Sequence, residues 1–203
     1  MYDVHAGYYD HATSAFNWLR RQTVSRLGLR PGSTVIDAGC GTGLCFPFLE
    51  EAIGPDGRVI AVEPCEPMLD KALSTARRRG WGNITPVRSC AEEAAIPDGA
   101  DAALFCAVHD LLRSERGLRN VLRRVAPGGR VVASGGRWAP GPLAVLNPLV
   151  MATHSPYVSS FEGFDRPWSL LARYCDLHVE TVAFGTGFVA SGRLRAPVAA
   201  AAS

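Results

Sequence analysis

Short apolar runs alternate with helix-like segments between about residues 34 and 136 of the 203-residue chain. Such an alternation is typical of βαβ units, which assemble into a parallel sheet. The runs are almost continuously hydrophobic, which indicates strands that are buried on both faces. We predict strands at residues 34–38, 58–63, 84–88, 102–106 and 130–134, with helices at residues 44–52, 66–79 and 114–125.

The segment before the first strand has the spacing of an amphipathic helix over residues 12–27. Phe16, Leu19, Thr23 and Leu27 share one face, whereas Arg20, Arg21 and Arg26 lie elsewhere on the helix. We expect residues 1–30 to form a lid or flank on the sheet.

The segment after the fifth strand is rich in proline, glycine and aromatic residues. Residues 137–167 are long enough to form a functional insertion on the substrate side of the fold. A helix near residues 168–174 and strands at 178–184 and 187–190, with a turn at Gly185 and Thr186, are expected to complete the sheet. Residues 1–195 are therefore predicted to form one domain, and residues 196–203 a flexible tail.

Composition excludes several other classes of protein. The net charge is only +2, from 21 basic and 19 acidic residues, which gives little reason to expect a nucleic-acid partner. The six cysteines have neither CxxC nor zinc-ligand spacing, so we interpret them as reduced, mostly buried thiols and expect no metal. The first ten residues do not resemble a secretory signal, which predicts a cytoplasmic protein. Peripheral contact with a membrane and the oligomeric state stay open.

A glycine-rich turn follows the first predicted strand. In the segment VIDAGCGTGL, Asp37 precedes Gly39, Gly41 and Gly43, and a helix begins after them. The glycines allow the backbone to approach a ligand closely, and the helix start offers unpaired N–H groups. The second strand ends in Glu63, whose carboxylate can accept hydrogen bonds from the ribose hydroxyls of a nucleoside. Dinucleotide-binding enzymes usually have the spacing GxGxxG instead, so a nicotinamide-dependent dehydrogenase is the alternative.

These landmarks resemble the class I S-adenosylmethionine-dependent methyltransferases. The resemblance also covers the strand Asp101–Phe105 and the turn Val125–Arg130, and it extends over nearly the whole chain. It implies a Rossmann-like, seven-stranded, mostly parallel sheet with helices on both faces and an antiparallel last strand. It also implies S-adenosylmethionine as cofactor, bound by Tyr9, Asp37, Gly39, Cys40, Gly41, Gly43, Glu63, Pro64, Met68, Cys90, Ala91, Glu92 and Ala107.

The chain departs from the family pattern at Cys90, where relatives commonly carry an aspartate at the adenine edge. A thiol is a weak hydrogen-bond partner, which puts that contact in doubt. The backbone N–H of Ala91 offers a substitute.

The methyl acceptor is expected to bind beyond the fourth and fifth strands, under the N-terminal segment. His109 is the candidate general base, because an unperturbed imidazole accepts protons near neutral pH. The alternative is that His109 only orients Asp110 or caps the next helix. The predicted acceptor-binding residues are Tyr8, His109, Trp138, Tyr157 and Phe164.

A narrower resemblance connects the second half of the chain to small bacterial phospholipid or amine N-methyltransferases. Trp138, Tyr157, Phe161, Phe164 and Trp168 could form an aromatic cage for a methylammonium group, or they could simply be core residues. The acceptor is therefore either a nitrogen or oxygen of a small, specialised metabolite or a phospholipid head group. A cofactor-binding protein of this fold without transfer activity is a third possibility.

Overall fold

The computed structural model describes residues 16–195 and residue 198. It contains a seven-stranded sheet in the order β3-β2-β1-β4-β5-β7-β6. Strands β1 to β5 are parallel, and β7 runs antiparallel to both β5 and β6. The strands are β1 (Thr34–Ala38), β2 (Arg58–Val62), β3 (Ile84–Val87), β4 (Ala100–Cys106), β5 (Val125–Gly136), β6 (Cys175–Val182) and β7 (Gly187–Leu194). The predicted fold class is confirmed.

Helices cover both faces of this sheet. They are α1 (Asn17–Ser25), α2 (Phe46–Ile53), α3 (Glu66–Arg79), α4 (His109–Arg113), α5 (Glu115–Leu122) and α6 (Asn147–His154), with 3-10 turns at Gly141–Leu146, Leu171–Arg173 and Ala183–Gly185. Successive strand residues enter opposite cores: Val35 packs in one apolar cluster and Ile36 in the other. In the described part of the chain, no helix is both long and apolar enough to span a bilayer.

The predicted element bounds differ from the observed ones mainly from β5 onward. The turn predicted just before β5 lies inside that strand as a bulge, because the pairing steps from Ala100 with Val125 to Ala102 with Arg130. The helix predicted at 168–174 is only the short 3-10 turn Leu171–Arg173. Strand β7 continues to Leu194 because it pairs on both sides, with β5 and with β6.

The carboxyl ends of β1, β2, β4 and β5 meet at one edge of the sheet, where ligands bind in open α/β folds. The predicted insertion at 137–167 contains α6, and the predicted flanking helix is α1. Residues 1–15, which include Tyr8 and Tyr9, lie outside the described residues, as does most of the predicted tail.

Candidate functional site

The glycine-rich loop after β1 turns back toward β2. The N–H groups of Gly39 and Cys40 both donate to the carbonyl of Val62, at 2.8 and 3.0 Å. Gly41 has a φ of +56°, a left-handed conformation that side chains disfavour. Gly43 makes a different contribution: a Cβ there would lie 2.8 Å from the ring of Phe46, so its absence lets the loop pack on α2.

Glu63 joins this loop to the end of β2. Its Oε2 accepts a hydrogen bond from the Gly41 N–H at 3.0 Å, and its Oε1 accepts one from Cys65 at 2.9 Å. Burial raises the pKa of the Glu63 carboxyl, although the two backbone hydrogen bonds oppose that shift. Each oxygen retains a second lone pair, so the carboxylate can order the loop and also accept hydrogen bonds from a ligand.

Asp37 is the least compensated acid near the loop. The residue is 1% exposed, and its Oδ2 atom is buried with no hydrogen-bond partner among the described residues. Burial raises the pKa of this carboxyl well above its ordinary value, and negative charge at Cys106 and Glu63 raises it further. A buried polar atom without a partner is costly, so a cationic or hydrogen-bond-donating ligand would be stabilised beside it.

These residues surround a cavity of about 360 Å³, which we call the cofactor cavity. This volume lies in the range of roughly 300–1,000 Å³ that is usual for small-molecule sites. The wall includes all but one of the predicted cofactor-binding residues that are described: Asp37, Gly39, Cys40, Gly41, Glu63, Pro64, Met68, Cys90, Ala91, Glu92 and Ala107. The exception is Gly43, which does not line the cavity.

The loop after β3, which carries Cys90 and Ala91, is held by helix α5. The side-chain amide of Asn120 donates to the carbonyl oxygens of Ala91 and Ala94, at 2.7 and 2.9 Å. The Glu92 carboxylate accepts a hydrogen bond from Ser114, the residue that caps α5. These hydrogen bonds from α5 and its cap fix the position of the loop.

A second cavity of about 240 Å³ adjoins the first, and we call it the acceptor cavity. The two cavities share Arg20, Cys106, Ala107, His109 and Tyr157 as walls. Ala107 has a φ of +58° at the end of β4, and its N–H donates to the Ser134 carbonyl at 2.8 Å. The chain thus bends sharply where the two cavities meet.

His109 begins α4 at this junction and is 6% exposed. Its Nε2 lies 2.9 Å from the carbonyl oxygen of Gly136, which requires Nε2 to carry the proton and donate. Burial lowers the pKa of His109 to about 4. The ring is therefore neutral at pH 7, only Nδ1 can accept a proton, and it is a weaker base than an exposed imidazole.

The predicted aromatic residues do not surround the acceptor cavity. Phe164 stacks on the ring of His109 with centroids 4.6 Å apart, and Trp138 packs against both Phe161 and Phe164, at 5.0 and 5.2 Å. Neither Trp138 nor Phe164 lines either cavity, whereas Tyr157 lines both. Of the two alternatives, packing describes Trp138, Phe161 and Phe164, and the ring of Phe164 supports His109 from behind.

Sequence reasoning missed Arg20 as a site residue. It placed Arg20 off the packed face of α1, yet the residue is 7% exposed and lines both cavities. The signal was present, because Arg20, Thr23, Val24 and Leu27 follow the i, i+3, i+4, i+7 spacing of one helix face. His154, which lines the acceptor cavity, was also missed.

The cysteines are free thiols, as predicted, but their placement was not foreseen. Cys40, Cys45, Cys65, Cys90 and Cys106 all line the cofactor cavity, and only three of the six cysteines are buried. In the part of the chain that the structure describes, no three potential ligands come together as a metal site.

Comparison with known proteins identifies methyltransferases that this chain is similar to. Residues 35–129 match the model of a methyltransferase domain family. The nocamycin O-methyltransferase of Saccharothrix syringae is 30% identical over 189 residues, covering 80% of this chain and 64% of the relative. A ubiquinone/menaquinone biosynthesis C-methyltransferase of Ectopseudomonas mendocina is 30% identical over 145 residues, covering 70% and 54%. The chain thus spans about half to two thirds of the length of these curated relatives.

Solved structures share the fold. An N-methyltransferase from Bradyrhizobium japonicum, in complex with S-adenosyl-L-homocysteine, matches with a TM-score of 0.62 and 18% identity, over 88% of this chain and 87% of that one. A methyltransferase from Aquifex aeolicus matches with a TM-score of 0.61 and 19% identity, over 86% and 89%. Residues 35–129 thus form a methyltransferase domain, and the chain resembles methyltransferases in sequence and shares the fold of S-adenosylmethionine-dependent methyltransferases.

Proposed function

We propose that this chain transfers a methyl group from S-adenosylmethionine to an oxygen or nitrogen of a small molecule. The observation that carries the proposal is the pair of adjoining cavities. The residues of the family motif line one cavity, and the other opens from it at Ala107 and His109. A methyl donor and an acceptor held in these cavities would meet at the ends of β4 and β5.

The residues of the cofactor cavity fit the chemical groups of S-adenosylmethionine. The unpartnered Oδ2 of Asp37 suits the ammonium group of the methionyl part, and Glu63 suits the ribose hydroxyls. Cys90 and the backbone of Ala91 line the part of the wall that we assign to adenine. When bound, the cofactor supplies an electrophilic methyl group on a positively charged sulfur.

The protein's main contribution would be to hold and desolvate the reactants. Methyl transfer from a sulfonium is an in-line displacement, so proximity and exclusion of water account for much of the rate enhancement. His109 suits this role as a rigid wall, because it is buried, stacked on Phe164 and hydrogen-bonded to Gly136. A proposed role for His109 as general base would depend on its weakly basic Nδ1.

A phospholipid acceptor is the second candidate. Val145, Leu149 and Met151 are large apolar side chains that are more than half exposed, and Leu149 also lines the acceptor cavity. Exposed apolar groups at the mouth of a cavity could contact a lipid surface. This candidate requires a head-group amine in its neutral form as the methyl acceptor, because a protonated amine has no lone pair to attack the methyl group.

The test of the cofactor assignment is calorimetry with S-adenosylhomocysteine and with NAD. We expect S-adenosylhomocysteine to bind and NAD not to bind. Replacing Glu63 with alanine should weaken binding about tenfold to hundredfold, because one charge-assisted hydrogen bond contributes roughly 1.5–3 kcal/mol. Glu66→Ala is the matched control, since Glu66 is exposed and pairs with Arg88 outside the cavity. Binding of NAD alone would overturn the proposed function.

A further inference from the structure

Acidic groups are distributed unequally between the two cavities. Asp37, Glu63, Glu92 and Asp110 all line the cofactor cavity. Among the described residues that line the acceptor cavity there is no aspartate or glutamate. The carboxylates of the cofactor cavity would stabilise a cation such as a sulfonium. The described residues of the acceptor cavity offer a cation no comparable partner.

Among the described residues, the ionisable groups that line the acceptor cavity are two imidazoles, the Cys106 thiol, a tyrosine and one guanidinium. Burial lowers the pKa of His109 to about 4, and burial also lowers the pKa of His154. Both rings are held by backbone carbonyls, His109 by Gly136 and His154 by Val150, each at 2.9 Å. Both imidazoles are thus neutral at pH 7, so the positive charge on this wall comes from Arg20.

Arg20 reaches the junction of the cavities from helix α1. It is 7% exposed, and one of its guanidinium nitrogens donates to the Asn17 side chain at 3.0 Å. A hydrogen bond with Cys45 lowers the pKa of the Cys106 thiol, and the positive charge of Arg20 lowers it further. The guanidinium is therefore close enough to influence groups at the junction, and its five N–H donors allow several partners at once.

We propose that Arg20 determines acceptor specificity by selecting small apolar molecules that carry a carboxylate or an acidic hydroxyl in its anionic form. The proposal rests on the proposed methyltransferase function and narrows its acceptor to an anionic oxygen. A buried guanidinium binds such groups through charge-assisted hydrogen bonds and repels an ammonium group.

An anionic acceptor also makes a general base at His109 unnecessary. The acceptor gives its proton to water before it binds, so His109 need not remove one. In the transfer, an oxygen–carbon bond forms as the carbon–sulfur bond breaks, and the electron pair of that bond stays on sulfur. The products are a neutral methyl ester or ether and a neutral thioether.

The experiment uses three probes of similar size: naphthoate, naphthylmethanol and naphthylmethylammonium. Each is titrated calorimetrically into the full chain saturated with S-adenosylhomocysteine. We expect naphthoate to bind at least about tenfold more tightly than the alcohol, and the ammonium to bind most weakly. Arg20→Met keeps much of the aliphatic stem but removes the charge, and it should abolish the preference for naphthoate.

Two further variants make the result specific. Arg21→Met removes a neighbouring charge that is exposed and paired with Glu51, so it should leave the order of the probes unchanged. Arg20→Lys keeps a positive charge, so it should retain part of the preference, and near-UV circular dichroism reports whether each variant is folded. The relative affinities of the wild-type chain for the three probes test the proposal even if Arg20→Met does not fold.

The outcomes separate this inference from the proposed function. If S-adenosylhomocysteine does not bind, the proposed function fails and the inference fails with it. If it binds and the three probes bind equally, or none binds, only the inference is overturned. A preference for naphthylmethylammonium would also overturn it, and would support an amine or phospholipid acceptor instead.

Discussion

The cofactor cavity and the acceptor cavity are built in different ways. Backbone groups and short loops shape the first: the glycine-rich loop is held by Val62 and Glu63, and the loop after β3 is held by Asn120. Side chains from segments far apart in sequence shape the second, from Arg20 on α1 to His154 on α6 and Thr186 before β7. A local sequence motif can form a cofactor site, whereas acceptor specificity depends on tertiary contacts.

The largest effect is expected at Gly41, which belongs to the cofactor cavity alone. Gly41→Val should weaken S-adenosylhomocysteine binding by more than about a hundredfold, measured by calorimetry. A β-branched residue at a φ of +56° is strained by roughly 1–3 kcal/mol, and relief of that strain would break the hydrogen bond to Glu63.

Gly82→Val is the control for that change. A Cβ at Gly82 meets nothing within 4 Å, and its φ is not in the left-handed region. Gly82 does not line the cofactor cavity, so its variant should bind normally. Normal binding by Gly41→Val as well would show that this loop does not contact the cofactor.

A smaller effect is expected at Asp37, where one substitution should weaken ligand binding and raise thermal stability. Asp37→Asn should weaken S-adenosylhomocysteine binding about tenfold, because a charged partner of the ammonium group is lost. The same change should raise the melting temperature at pH 7 by a few degrees, equivalent to about 1 kcal/mol, because a buried carboxyl whose pKa burial raises is replaced by a group that does not ionise.

The pH dependence gives a second readout for Asp37. Burial raises the pKa of Asp37 in the folded protein, so between the unfolded and folded pKa values the folded state binds more protons. Wild-type stability should therefore fall as pH rises through that window, and the gain in Asp37→Asn should disappear below about pH 4. Asp98→Asn, at an exposed residue paired with Arg124, should change neither quantity. Equal melting temperatures for Asp37→Asn and wild type at pH 7 would contradict a raised pKa at Asp37.

The smallest effect is expected at His109, which is shared by both cavities. His109→Gln should lower methyl transfer to naphthoate less than about tenfold, measured as S-adenosylhomocysteine released. Removal of a general base would lower it by roughly 10²–10⁴-fold. The pKa of about 4 also predicts that wild-type turnover lacks the inflection near pH 6.5 that an ordinary histidine produces.

Stability provides a check at His109 that does not depend on the acceptor. Because burial lowers the pKa of His109 to about 4, the folded state binds fewer protons than the unfolded state between that value and about pH 6.5. Wild-type stability should fall as pH falls through this range, and His109→Gln should lessen the fall. His178→Gln, at an exposed position on β6, should not change it. An undiminished fall in His109→Gln would show that another group causes it.

Sequence patterns predicted the sheet, and the family resemblance predicted residues that line one cavity, because both depend on local features. Helix α3 was predicted at its observed bounds, since its apolar spacing ends in three arginines before Gly80, which has a φ of +74°. The predicted cofactor-binding residues come together because parallel strands place their carboxyl ends, and the loops that follow, at one edge. Gly43 has the same sequence signal as its neighbours, but it packs on Phe46 instead.

The acceptor side depended on the tertiary structure. The sequence places His109 just after β4, but only burial and the Gly136 carbonyl make it a neutral donor. From the sequence, Trp138 and Phe164 could belong to a cage or to the core, and only the tertiary structure shows Phe164 stacked on His109 and Trp138 packed against Phe164. The spacing of α1 puts Arg20 on its packed face, but only the tertiary structure places Arg20 at the wall that both cavities share. Residues that are neighbours in sequence determine where strands and loops form. The burial, the pKa and the charge of side chains at the wall between the two cavities depend instead on which distant segments pack together.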